Sequence, residues 1–406
     1  MSEPNPEGPN AAAEPVRVRG VVLGPKPADT PYGYFEHEPH ASTREELVAR
    51  LHEGRPTPYV WTPETDGIVH AWTVPYLFDA FRTRGMRHSR RVALTWAVIA
   101  AALLGYAAVS GHFRFANGFV IGGFVAASLS FYSWLEYGRF RRLTPESLAA
   151  RVKEVRDRLP PRRGPARFTQ VLAGSVAAVV LVQAISAMLH AKGLNIPILP
   201  ENSAITPSVE VAGVVKVAIR QGHEYWRLLS GAFLHDGLLH FAMNGMALLA
   251  IGRFLEGYAH RAYVPLVFLL TAVAASTTSL FLSTAEASVG ASGGILGLFG
   301  FLAVMARVRR DVMPPGFGRA ILADIAVVAA MGIFGWGYID NAAHAGGFLS
   351  GALLGWLMVP RSGRTPYWEP SKPIRVLGDV SLAILVLAAL FTIAMLVLRI
   401  FVFPTG

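Results

Sequence analysis

Nine stretches of this chain are apolar over nearly the length needed to cross a bilayer: roughly 92–111, 117–137, 169–190, 234–252, 262–283, 290–307, 319–335, 341–359 and 378–402. A spanning helix needs about 20 mostly apolar residues, because it rises ~1.5 Å per residue through a hydrocarbon layer about 30 Å thick. Nothing else in the sequence constrains the fold as strongly. Composition agrees, with 52% hydrophobic and only 16% charged residues, against roughly 25% charged in ordinary soluble domains. The fold class expected is an all-α polytopic membrane protein. The net charge of +10 does not point to nucleic acid, since the basic residues cluster between the apolar stretches. There are no cysteines, which excludes disulfides and cysteine-held metals.

Arg and Lys in short loops set orientation. The segment RTRGMRHSRR precedes the first stretch. The 139–168 connection carries Arg139, Arg141, Arg142, Arg151, Lys153, Arg156, Arg158, Arg162, Arg163 and Arg167, and the loops near 307–319 and 360–376 are also basic. They alternate with loops poor in positive charge such as STAEASV and GWGYID. This predicts a cytoplasmic N-terminus and an external C-terminus; the residence expected is a bacterial inner (plasma) membrane. The long loop 191–233 falls outside despite Lys192, Lys216, Arg220 and Arg227, because charge bias weighs less in long loops.

The organisation expected along the chain is a disordered, Pro-rich N-terminus (1–16) without a signal peptide, and a small soluble cytoplasmic α+β domain (17–90). An N-terminal transmembrane hairpin (91–138), a basic linker (139–168), a helical core (169–360) and a loop with a last transmembrane helix (361–406) follow. In the soluble domain, VRVRGVVLG reads as a strand, and YVWTPETDGIVHAWTV reads as two strands joined around Asp66 and Gly67. STREELVARLHEG is a helix that Ser42 or Thr43 can cap with Glu45 or Glu46 and Gly54 can end. PYLFDAFRTRG reads as a closing helix. His37 and His40 lack further ligands nearby and read as loop histidines, so no metal and no cofactor are expected. A cytoplasmic partner is one use for 17–90.

Ionisable groups inside spans are costly and therefore mark function. His235, His240 and His344 fall in or at the edge of apolar stretches, with Asn244 and Glu256. On the deduced topology the stretches starting near 234, 290 and 341 run in the same direction, from outside to inside. Ser292 and His344 then lie within a few residues of the outer ends of their helices, at similar depth. His240 and Asn244 are one turn apart on one helix face. Glycines supply the closeness. Gly293, Gly297 and Gly300 line one helix, and Ala343, Gly347, Gly351 and Gly355 recur every four residues on another. Such small-residue stripes let membrane helices approach backbone to backbone. If these two stripes meet, Ser292 and His344 come within hydrogen-bond reach, as an activated nucleophile requires.

With these residues in place, the sequence resembles the rhomboid intramembrane serine proteases. Their serine motif G-x-S-G matches Gly290, Ala291, Ser292 and Gly293, and A-H-x-x-G-x-x-x-G matches Ala343, His344, Gly347 and Gly351. H-x-x-x-N matches His240 and Asn244, and EYWRLLSGAFLH resembles the family's first-loop signature. The resemblance covers about 169–360 and implies a six-helix core, the last span being an extra C-terminal helix. It implies a Ser292/His344 dyad, with Asn244, His240 and the Ser292 N–H holding the oxyanion. Its substrates would be single-pass membrane proteins in the lipid bilayer, cut near the outer boundary. The chain departs from many bacterial members at Leu296, where they carry a tyrosine.

Other residues read as structural. Ser288 is a rival nucleophile without a following glycine. Asp340 is a helix N-cap or a third triad member, the cap being the better reading. Glu224 and Arg227 read as an ion pair shaping the outer loop, His235 as a hydrogen-bonding residue and Glu256 as an acceptor at the inner end of its span. The alternative function is a non-proteolytic rhomboid-like protein that binds or escorts membrane proteins. Such relatives usually lack the serine or the histidine.

Overall fold

A computed structural model of the chain describes residues 17–18, 21–22, 30–35, 38–55, 57, 59–65, 67–110, 118–148, 150, 165–190, 207–310, 313, 317–334, 339–361 and 368–402. The 1–16 segment, His37, Asp66 and the basic run from Arg151 to Arg163 lie outside the described residues. The chain divides into two compact units, Met1–Ala97 with Leu129–Val152, and Val98–Ser128 with Lys153–Gly406.

In the first unit, β1 (Arg17–Val18) and β2 (Val21–Val22) form an antiparallel pair. The single strand expected from VRVRGVVLG is therefore two, because the chain reverses between them. A four-stranded antiparallel sheet follows, ordered β4-β3-β5-β6, from β3 (Gly33–Phe35), β4 (Pro39–Ala41), β5 (Tyr59–Trp61) and β6 (Val69–His70). Helix α1 (Arg44–Glu53) is capped by Thr43, whose hydroxyl accepts from Glu46 N at 3.1 Å, and ends at Gly54 with φ 88°. The sheet and α1 bury Leu47, Leu51, Val60 and Leu77 together.

PYLFDAFRTRG does not close this unit. It is the first third of α2 (Pro75–Val109), which continues without a break into the first apolar stretch. No stop signal intervenes, as Arg is a good helix former and one interior glycine is tolerated. Helix α3 (Gly118–Arg141) returns beside α2, with Ser130 Oγ donating to Ala93 O at 2.8 Å.

The second unit continues with α4 (Arg167–His190), the short α5 (Pro207–Ala212), α6 (Lys216–Arg220) and α7 (Arg227–Ser230), and the long α8 (Leu238–Tyr258) and α9 (Tyr263–Leu282). It ends with α10 (Ser292–Val308), α11 (Phe317–Phe334), α12 (Asn341–Met358) and α13 (Lys372–Val402). Helices thus stand at all nine apolar stretches. By length and composition α2, α4, α8, α9 and α13 are long and apolar enough to cross a membrane, and α10 is a shorter apolar helix. The chain is an all-α polytopic membrane protein in its main body.

Helix α9 is the most enclosed of the five, and α10 lies against it. Phe268 of α9 and Leu298, Phe301 and Met305 of α10 are fully buried. The α10 glycines permit this approach. A Cβ built on Gly294 would stand 2.7 Å from the Phe268 ring, and one on Gly297 would overlap the Thr271 side chain.

Candidate active site

The two small-residue stripes meet. A Cβ on Gly347 would fall on the Gly293 carbonyl, one on Gly351 on the Gly297 carbonyl, and one on Gly355 would stand 3.1 Å from Phe301 Cα. From Gly300 the contact is reciprocal, against Phe348 O. Each successive contact advances by four residues on both helices, so α10 and α12 run parallel and in register. Where a Cβ would collide, the glycine Cα–H points at a carbonyl oxygen, a contact worth ~0.5–1 kcal/mol.

The register brings Ser292, the first residue of α10, beside His344 in the first turn of α12. The distance from His344 Nε2 to Ser292 Oγ is 2.9 Å. Both side chains are half-buried. His344 Nδ1 is buried and has no hydrogen-bond partner among the described residues. Asp340 does not reach it. Its Oδ1 instead accepts from Ala343 N at 3.0 Å as the α12 N-cap.

The segment leading into Ser292 is held from two sides. β7 (Val214–Val215) pairs antiparallel with β8 (Ala287–Ser288), and Lys216 N donates to Glu286 O at 3.0 Å. Gly290 N donates to Gly231 O at 2.9 Å. Ser288 therefore belongs to a paired strand. Gly290 has φ 125°, a region that only glycine enters without strain. Its missing side chain matters as much. A Cβ there would stand 2.9 Å from His240 Nε2 and 3.6 Å from Asn244 Nδ2. Gly290, two residues before the serine, thus faces both residues of the His240–Asn244 helix face. Asn244 is only 8% exposed, and its Nδ2 has no partner among the described residues.

Helix α8 begins at Leu238, later than the 234–252 stretch suggests, because Gly237 turns the chain with φ 88°. His235 accordingly lies in the preceding loop. Its ring stands edge-on to His240, centroids 5.0 Å apart. Gln183 of α4 clamps its backbone, accepting from His235 N at 3.1 Å and donating to His235 O at 2.8 Å. The sequence reading did not single out Gln183, although a polar side chain inside an apolar span is a signal. Glu256 accepts from Thr169 N at 2.7 Å and Thr169 Oγ1 at 2.6 Å, joining α8 to α4. Glu224 and Arg227 pair at 2.6 Å, and Arg227 also donates to Gly213 O at 3.1 Å. Lys216 donates to Ser283 O at the end of α9. Burial holds its ammonium below the usual lysine range, an effect the Asp340 charge opposes. Leu296 is buried.

These observations define a class: a multi-pass helical membrane protein in which glycine-lined parallel helices bring a serine and a histidine together. Comparison adds a likeness. Residues 222–361 match the model described as Rhomboid domain, and over this region the chain is similar to rhomboid proteins of plants, bacteria and yeast. It is 33% identical over 179 residues to RHOMBOID-like protein 6, mitochondrial, of Arabidopsis thaliana, covering 42% of this chain and 56% of the relative. It is 34% identical over 149 residues to Rhomboid protease GluP of Bacillus subtilis, covering 36% of this chain and 28% of the relative. It is 34% identical over 140 residues to Rhomboid protein 1, mitochondrial, of Saccharomyces cerevisiae, covering 32% and 40%. The chain spans about half the length, or less, of the first curated relatives it matches.

Proposed function

We propose that the protein is an intramembrane serine endopeptidase that hydrolyses peptide bonds of single-pass membrane proteins with a Ser292/His344 dyad. The observation that carries this reading is the 2.9 Å approach of His344 Nε2 to Ser292 Oγ. His344 takes the hydroxyl proton as Ser292 attacks the scissile carbonyl, and returns it to the leaving amine. The developing oxyanion is held by N–H groups at the start of α10, where the helix dipole is positive, and by Asn244 Nδ2, which has no partner among the described residues, with His240 beside it. Removing one such donor typically costs about 2.7–4 kcal/mol of transition-state stabilisation.

The length of α10 supports a site near one membrane face. Its 17 residues rise about 26 Å, less than the ~30 Å hydrocarbon layer. The serine end therefore lies a few ångströms inside the boundary, within reach of the water that hydrolysis consumes. Substrates whose helices are weakened by Gly or Pro unwind into such a site most readily. The positive-charge bias puts this end outside, the N-terminus in the cytoplasm and the C-terminus outside, as in a bacterial plasma membrane. Residues 17–90 then face the cytoplasm, open to a partner there.

One experiment tests both parts. The full-length protein and Ser292→Ala are reconstituted with a single-pass substrate and treated with a fluorophosphonate probe, with reporters at either terminus. The wild type should cleave and label, and Ser292→Ala should insert normally and do neither. Cleavage by Ser292→Ala at the wild-type rate would sink the serine assignment. Both reporters on one side of the membrane would sink the orientation.

A further inference from the structure

The dyad raises a positional problem. The His344 ring makes one hydrogen bond, to Ser292, and its Nδ1 has no partner among the described residues. Among the described residues, no polar group bonds the ring from its far side. The place of His344 is therefore set by its backbone, in the first turn of α12. Resting on the serine–histidine reading above, we propose that Asp340 and Ser279 form a positioning pair that fixes this turn, and His344 with it, against α9.

The geometry is a shared carboxylate. Asp340 Oδ1 accepts from Ala343 N at 3.0 Å, and Asp340 O accepts from His344 N at 3.0 Å. Asp340 Oδ2 accepts from the hydroxyl of Ser279, which is fully buried in α9. One side chain thus caps α12 and ties it to a neighbouring helix. An ordinary N-cap needs only the first of these contacts. The tie is reinforced one turn further on, where a Cβ on Gly346 would overlap Thr278 Oγ1. Asn341 adds a second tether, its Nδ2 donating to Gly332 O of α11 at 2.9 Å.

Helix α9 also locates the serine. Ala275 stands where a Cβ of Gly293 would be, and Phe268 and Thr271 back Gly294 and Gly297. So α9 serves as a common reference for both reacting side chains. It holds the serine helix by packing and the histidine helix by the Ser279–Asp340 bond. A cap alone would set the stability of α12. The bond to α9 sets where the cap stands relative to Ser292. Because a misplacement of about 1 Å at a reacting contact can cost on the order of a hundredfold in rate, loss of this bond should appear in turnover.

The test uses the full chain in proteoliposomes with Asp340→Ala, Asp340→Asn, Ser279→Ala, the double alanine variant and Ser292→Ala. Turnover, KM, the rate of fluorophosphonate labelling and the thermal unfolding midpoint are measured for each. Asp340→Ala should lower kcat by roughly ten- to a hundredfold with KM nearly unchanged, and labelling should slow in parallel. Asp340→Asn should recover most of this, since its amide can accept from Ala343 N and donate to the Ser279 hydroxyl. Ser279→Ala should lower kcat by a smaller factor. The double variant should be no worse than Asp340→Ala, because the two residues act through one bond. The inference is overturned if Asp340→Ala labels and turns over like wild type, even with a lowered midpoint, or if the two single effects multiply. Should Asp340→Ala not fold, Ser279→Ala with normal unfolding and wild-type labelling overturns it alone. Full cleavage by Ser292→Ala would instead remove the reading on which the inference rests. A silent Ser292→Ala beside a fully active Asp340→Ala removes only the positioning pair.

Discussion

Among the glycine-lined helix pairs of the described residues, two use the glycine differently. Between α10 and α12, the atoms facing Gly347, Gly351 and Gly300 are backbone, namely the carbonyls of Gly293, Gly297 and Phe348. Between α2 and α3, the nearest atoms facing Gly122 and Gly123 belong to the side chains of Leu103 and Leu104, with Ala100 O at an ordinary 3.5 Å from a Cβ on Gly123. Backbone in a packed helix moves only if the helix moves. A leucine end moves by changing rotamer. The same residue type therefore marks a fixed interhelical distance in one place and an adjustable gap in the other.

The sharpest way to break this comparison is Gly347→Val. Its side chain has to displace the Gly293 carbonyl, one residue from Ser292. We expect an inserted protein with cleavage reduced at least a hundredfold, a magnitude set by a shift of about 1 Å at the reacting pair, and so as inactive as His344→Ala. Rates are compared on a single-pass substrate after quantifying inserted protein. A Gly347→Val variant that cleaves like wild type would show that the α10–α12 spacing is not what holds serine to histidine.

How much of this was legible beforehand depends on how far apart the contacting residues lie in the chain. The stripes were visible because helical periodicity alone puts Ala343, Gly347, Gly351 and Gly355 on one face. The Glu224–Arg227 pair and the Thr43 cap were visible for the same local reason. The β7–β8 pairing was not, since two-residue strands more than 70 positions apart carry no periodic signal. Nor were the Gln183 clamp on His235 and the Ser279–Asp340 bond, which exist only once α4, α9 and α12 are packed. The helix expected to end near Gly85 ran on because nothing in the sequence stops it, and Gly85 instead lies against the Phe140 ring. That error fell where a local pattern was read as ending an element.

A smaller effect sharpens the other half of the comparison. In Gly123→Ala the new Cβ stands 2.6 Å from Leu104 Cδ2, so Leu104 must turn aside. An off-rotamer side chain costs about 0.5–1.5 kcal/mol. Alanine in place of a helix-interior glycine returns ~1 kcal/mol. The two nearly cancel, so the unfolding midpoint should change by only a few degrees and cleavage should be unaffected. A tenfold loss of cleavage would mean that the α2–α3 spacing matters to catalysis, and the contrast between fixed and adjustable glycine contacts would fail.

The smallest effect is expected on the same helix as the largest. Leu353 lies on α12 but off its stripe and is 56% exposed. In a bilayer that exposure is to lipid tails, which are as apolar as the side chain, so shortening it forfeits little burial energy. A β-branched residue lowers intrinsic helix stability by a few tenths of a kcal/mol, too little to shift a helix locked against α10 at three successive contacts. Leu353→Val should therefore cleave within about twofold of wild type, although it introduces the same side chain as Gly347→Val six residues earlier. The measurement is the ratio of the two cleavage rates at equal inserted protein. If Leu353→Val is as damaging as Gly347→Val, valine is harmful anywhere in α12, the loss reports helix propensity and not a backbone collision, and the glycine stripe no longer explains how serine meets histidine.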